Sequence, residues 1–271
     1  PGLIPDADDA ARLITPRTRA IALVTPNNPG GVEYPADTLD AFFDLCRRHG
    51  LRLIVDETYR DFDSRHAPPH GLLSRDDPFG TLVQLYSFSK AYRLTGHRTG
   101  ALIAAPEVLA ESEKFLDTVA ICAPQLGQQA ALWGLQSLQQ WLACERAEIL
   151  DRRAAIEAEM PRLAAKGWRL LGCGAYFAYM QHPFAESSAT LAPRLVRDAG
   201  VLLLPGTMFM PDADPAGARQ CPPAVRRGSR ARSRGVRRSL RPSPSARPVR
   251  RRAARRRRPD SARRTGGLRQ R

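Results

Sequence analysis

Residues 20–25 (Ala-Ile-Ala-Leu-Val-Thr) form an apolar run closed by Pro26-Asn27-Asn28-Pro29-Gly30-Gly31, which predicts a buried strand ending in a tight loop. Residues 36–49 follow with apolar positions at Leu39, Phe42, Phe43 and Cys46. That is helical spacing, and Gly50 supplies the stop. Leu51 to Val55 predicts a second buried strand, ending at Asp56-Glu57; Thr81 to Tyr86 predicts a third and Ala101 to Ala105 a fourth. Strand and helix in repetition predict an α/β fold with a mainly parallel sheet covered on both faces. Ligands gather at the carboxyl ends of strands in such sheets.

Helical patterns run over 106–117 and 127–160, the second ended or kinked by Pro161. Strands are predicted at Trp168–Leu171, Ala175–Met180 and Val201–Leu204, with a helix near 188–199 between the last two, as a smaller α+β unit. Beyond about residue 218 the periodicity stops. The expected division is a large domain over 1–147, a small domain over 148–218 and a tail over 219–271.

Charge sharpens that division. The 271 residues carry a formal net charge of +15, but residues 221–271 hold 20 Arg and one Asp, leaving residues 1–220 at about −4. The tail is Arg, Pro, Ser, Ala and Gly with almost no large apolar residue. It buries too little to offset its ordering entropy, which predicts disorder. Such a composition also arises when a GC-rich gene is read in a shifted frame. Twenty arginines bind polyanions non-specifically and with steep salt dependence. No aromatic residue is interleaved for stacking, so no specific nucleic-acid partner is expected. No apolar run approaches the roughly 20 residues of a membrane span. The chain starts at Pro1 directly in structured-looking sequence, which suggests a fragment, and no signal peptide is visible. Five cysteines without metal-ligand spacing fit a reducing, cytoplasmic setting and no metal.

Four short motifs appear in order, the first three after predicted strands, and each has a plain structural reading beside a chemical one. Asn28-Pro29-Gly30-Gly31 is ordinary turn chemistry, or an amide donor at a strand end. Asp56-Glu57-Thr58-Tyr59 is a helix N-cap, or a poorly solvated carboxylate seeking a cation with a phenol three residues on. Ser87-Phe88-Ser89-Lys90 follows the third strand. Of 42 Lys and Arg residues only Lys90, Lys114 and Lys166 are lysines. Where arginine is so preferred, a lysine at a strand end points to amine chemistry that arginine cannot perform. Gly96-His97-Arg98-Thr99-Gly100 offers either a structural arginine or a bidentate phosphate ligand with close backbone approach; His97 is a bystander.

Together these motifs describe one ligand. It has a phosphate for Ser87, Ser89 and Arg98, a ring cation for Asp56, a ring oxyanion for Asn28 and Tyr59, and a carbonyl for the Lys90 amine. Pyridoxal 5′-phosphate has those parts.

Taken in order, Asn28-Pro29-x-Gly31, Asp56-x-x-Tyr59, Ser87-x-Ser89-Lys90 and Arg98 resemble the class I/II aminotransferases, the fold-type I pyridoxal-phosphate enzymes similar to aspartate aminotransferase. The resemblance covers about residues 1–218. It implies an N-terminally truncated large domain with a mainly parallel sheet, a smaller α+β domain and a homodimer. It implies amino-group transfer between an amino acid and a 2-oxo acid through a Lys90 Schiff base. Asn28, Asp56, Tyr59, Ser87, Ser89, Lys90 and Arg98 would hold the cofactor, and Thr58 would lie against its ring.

Two departures stand out. The family's longer N-terminal stretch carries a Gly-containing phosphate loop and a ring-stacking aromatic, neither of which is present. The strand bearing the arginine for the substrate α-carboxylate is replaced after Gln220 by Cys221-Pro222-Pro223, and Arg219 does not match that motif. Other readings stay open: a decarboxylase, lyase or synthase on the same scaffold, a catalytically incompetent fragment, or a polyanion binder acting through the tail. Tyr176, Phe177 and Tyr179 read as strand packing.

Overall fold

The structure is a computed structural model that describes residues 2–66, 68–209 and the short strand Gln220–Cys221. These residues belong to one compact unit, Pro1–Arg227. Residues 222–271, and so nearly all of the predicted tail, lie outside the described residues.

Four strands make the first sheet: β1 (Ala20–Val24), β2 (Arg52–Asp56), β3 (Leu82–Ser87) and β4 (Gly100–Ile103), in that spatial order. The first three are parallel, with Val24 opposite Asp56 and Asp56 opposite Leu85. The fourth runs antiparallel, with Ser87 opposite Gly100. Strand β2 alternates strictly, with Leu51, Leu53, Val55 and Glu57 buried and the residues between them half-buried. Helix α2 (Ala36–Arg48) covers this face with Leu39, Phe42, Phe43, Leu45 and Cys46, all buried, as the spacing requires. They join Leu23, Leu53, Val55, Leu72 and Leu82 in the main core. A short helix α1 (Ala7–Arg12), capped by Asp6, packs on α2.

The four-residue helix α3 (Phe88–Ala91) springs directly from β3. Three further helices follow β4: α4 (Pro106–Val119), α5 (Gln125–Ser137) and α6 (Gln139–Ala164). The long helix expected over 127–160 is thus two helices, broken at Leu138 (φ −110°, ψ 19°). Pro161 lies inside the last turn of α6 and removes the N–H that would reach the Glu157 carbonyl, yet the helix continues to Ala164.

The second sheet is antiparallel: β5 (Arg169–Gly174), β6 (Phe177–Gln181) and β7 (Gln220–Cys221). Strand β7 falls where the tail was expected to begin. Helix α7 (Ser188–Ala199) runs from its Ser187 cap to Gly200, whose φ of 63° ends it. The strand expected at Val201–Leu204 is not formed. Only Leu203 is buried there, against Leu191 and Trp168, while Val201 and Leu202 face outward, so the apolar run has one inward position and no alternation to pair.

Candidate active site

Parallel pairing brings three motif loops to one edge of the sheet. Asn28 follows the carboxyl end of β1, Asp56 ends β2, and Ser87 ends β3 and caps α3, which carries Ser89 and Lys90. Arg98 is brought alongside from the antiparallel side. Phe88 N–H donates to the Thr99 carbonyl at 3.2 Å, and the Thr95 hydroxyl donates to the Ser89 carbonyl at 2.9 Å.

Each side chain has a defined state. Thr58 donates to Asp56 Oδ1 twice, through its amide at 2.9 Å and its hydroxyl at 2.6 Å. These bonds orient the carboxylate and leave Oδ2 to accept another donor. Of the two readings of Asp56, the helix cap is not formed; the carboxylate holds a local turn around Thr58. Asn28 Nδ2 donates to the Tyr59 hydroxyl at 3.5 Å, bridging the β1 and β2 loops. Burial pushes the Tyr59 phenol above its ordinary value, and the Asp56 charge adds to this while the Asn28 donation opposes it. The phenol is therefore neutral, with its own proton to donate. Ser87 Oγ accepts the Ser89 N–H at 3.2 Å and keeps its hydroxyl proton. Ser89 is buried. Arg98 is exposed, sits at a left-handed φ of 50°, and donates one guanidinium nitrogen to the Thr95 carbonyl at 3.1 Å.

Lys90 differs from the exposed Lys114, which pairs with Glu111. Lys90 is half-buried, and among the described residues its ammonium has no carboxylate partner. A half-buried amine with no carboxylate partner among the described residues, on the sheet edge that also carries an oriented carboxylate, two serine hydroxyls and an arginine, fits a ligand with an aldehyde, a ring cation and a phosphate.

Two features escaped the sequence reading. Behind Asp56, the fully buried Glu57 accepts from Gln84 Nε2 and from His70 Nε2 at 3.1 Å, and lies 3.5 Å from Arg60. His70 Nδ1 accepts the Leu72 N–H at 3.3 Å, so its proton is on Nε2. This cluster ties the end of β2 to β3. Its signal was an acidic residue in phase with Leu53 and Val55. The second feature is Tyr176. Read as strand packing, it lies instead edge-on to Tyr59 and donates to the Lys90 carbonyl at 3.3 Å. Among the described residues no group of three or more His, Cys, Asp or Glu side chains could hold a metal ion.

The family model "Aminotransferase class I and II" matches residues 3–226. The chain belongs to the class I and II aminotransferases. It is similar to an arginine–pyruvate transaminase of Pseudomonas aeruginosa, 34% identical over 213 residues, covering 76% of this chain and 52% of the relative. A probable aspartate/prephenate aminotransferase of Thermus aquaticus is 30% identical over 218 residues, covering 77% of this chain and 54% of that protein. The solved N-succinyldiaminopimelate aminotransferase of Mycobacterium tuberculosis superposes with a TM-score of 0.73 at 25% identity, covering 82% of this chain and 58% of that structure. The chain spans about half the length of the curated relatives it matches. Members of the family depend on pyridoxal 5′-phosphate.

Proposed function

We propose that this chain carries the cofactor-binding residues of a pyridoxal-phosphate-dependent aminotransferase that exchanges an amino group between an amino acid and a 2-oxo acid. The observation that carries the reading is the Lys90 amine, without a carboxylate partner among the described residues, on the helix leaving β3, with Asp56 and Asn28 at the carboxyl ends of the two neighbouring parallel strands.

Lys90 Nζ is the amine that would bond the cofactor's aldehyde carbon. Asp56 Oδ2 would accept from the ring nitrogen and keep it protonated. Tyr59 and Asn28 would donate to the ring oxygen, and Ser87, Ser89 and Arg98 would hold the phosphate. When bound, the cofactor supplies an electron sink for the pair left at the substrate α-carbon as its proton departs. With its amine free, Lys90 Nζ would be the base that takes that proton and the acid that returns it. Thr58 fixes Asp56 throughout.

The reading extends to a homodimer, supported by the apolar residues that α4 and α5 leave exposed. A reducing, cytoplasmic setting is supported by four free cysteines among the described residues. No helix of the described residues is long and apolar enough to cross a membrane.

Adding pyridoxal 5′-phosphate to the chain is expected to give a visible absorbance band that Lys90→Ala abolishes. Asp56→Ala retains part of the bound cofactor but loses nearly all exchange in a full-length relative. A band unchanged in Lys90→Ala overturns the assignment.

A further inference from the structure

We propose that Tyr176 is a positioning residue for this site, holding the Lys90 main chain with its hydroxyl and the Tyr59 phenol with its ring. The proposal rests on the reading of Lys90 as the cofactor-bearing amine.

Ala175 and Tyr176 form the two-residue turn between β5 and β6, and Ala175 takes a φ of 47°. That left-handed conformation is costly for a residue with a Cβ and persists only where packing enforces it. Ala175 is indeed buried, in one cluster with Tyr59, Phe62, Ala91 and Ile149. The strained residue therefore anchors the hairpin tip between the Tyr59 loop and α3, and aims the next side chain at the site.

Tyr176 then touches both elements. Its ring stands edge-on to Tyr59, centroids 5.8 Å apart at 89°, and is tilted against Phe62 at 4.7 Å. Phe177 adds a second edge contact to Tyr59 at 5.1 Å. Flanked in this way, the Tyr59 ring is held in the plane that brings its hydroxyl to Asn28. The Tyr176 hydroxyl donates to the carbonyl of Lys90. A four-residue helix leaves its last carbonyls short of partners. The Lys90 carbonyl also takes the N–H groups of Tyr92 and, at 3.3 Å, Arg93, and this phenol is its one side-chain donor among the described residues. Burial, then the nearby Glu145 charge, keeps the phenol protonated and so a donor.

The test uses the full 271-residue chain as wild type, Tyr176→Phe and Tyr176→Ala. Each is incubated with pyridoxal 5′-phosphate, reduced with borohydride and peptide-mapped, scoring the adduct at Lys90 against Lys114 and Lys166 in the same molecule. These two lysines report general reactivity, so a loss of reagent does not mimic the expected change, and circular dichroism matching wild type is required so that a loss of fold does not either. Wild type should favour Lys90. Tyr176→Phe, which removes only the oxygen, should lower the Lys90 ratio by about two- to tenfold, the range for one lost hydrogen bond. Tyr176→Ala should lower it further and shift the pH midpoint of the visible band, because Tyr59 loses its edge support. An unchanged ratio in Tyr176→Phe, with circular dichroism matching wild type, overturns the hydroxyl's role even if Tyr176→Ala fails to fold. No preference for Lys90 in wild type overturns the reading of Lys90 and the proposal with it.

Discussion

Cys46 and Cys173 are pushed up to about 11 by burial, opposed at Cys46 by a backbone hydrogen bond and at Cys173 by Arg153. In the unfolded chain these thiols return to about 9.0. Between those values the unfolded state releases protons that the folded state keeps, so unfolding gains as pH rises. Tyr59, Tyr86 and Tyr176 act in the same sense above their ordinary 10.0, each chiefly through burial. The urea midpoint should therefore be level just below pH 9 and fall steadily from 9 to 11. Cys173→Ser, which removes one such thiol at nearly constant size, should make the fall shallower; an identical slope would refute the linkage. At this scale the sequence was partly informative. Lys90 stood out because lysine is so rare in this chain, and Asp56 because it ends a buried run. Tyr176 did not, because its contacts with Tyr59 and Lys90 span more than eighty residues and depend on the hairpin turn, which no local pattern records.

Glycine carries the contact between the first loop and the second sheet. Gly31 has a φ of 71°, and a Cβ there would lie 2.8 Å from the Phe177 carbonyl oxygen and 2.9 Å from the Gly174 nitrogen. Across the contact, Cβ atoms on Gly172 and Gly174 would fall 2.2 Å from the carbonyl oxygens of Gly30 and Gly31. The loop bearing Asn28 thus meets β5 backbone to backbone, and the glycines that read as turn chemistry serve packing as well as turning. Gly31→Ala should cost about 1–3 kcal/mol for the left-handed residue alone, with the collision added. Gly71→Ala, where a Cβ meets nothing within 4 Å, is the control, expected within about 0.5 kcal/mol of wild type. Equal urea midpoints for the two variants would show that the loop is not held in this way. Elements with a strong period were legible: β1 to β3, α2 and α7 lie where the pattern put them. The misplacements share one cause, an apolar run whose fate depends on what covers it. Leu138 breaks a helix with neither Gly nor Pro to mark it, and Val201–Leu204 lacks a partner strand. The direction of β4 is set by its short return from β3, which leaves no room for a crossover helix.

Seen whole, the molecule sets an apolar face against a large net charge. Helix α4 has no buried residue, and along α4, α5 and the loop between them Phe115, Val119, Ile121, Leu126 and Trp133 are exposed, Ile121 and Leu126 at 78% and 79%. Apolar surface on that scale marks an interaction site. A second copy of the chain is the occupant consistent with the proposed homodimer. Against it stands the charge of +15, which makes every copy repel every other. The two effects respond oppositely to salt: at ~0.15 M the Debye length is about 8 Å and repulsion is largely screened, while apolar burial is not weakened. Self-association followed by sedimentation velocity should therefore strengthen as salt rises from low to physiological concentration. Val119→Glu combined with Leu126→Glu should shift the chain towards monomer at both, since closing the interface over two unpaired carboxylates is costly. Association that weakens with salt would instead point to ionic contacts through the arginines. Sedimentation unchanged in the double variant would remove this face from the dimer.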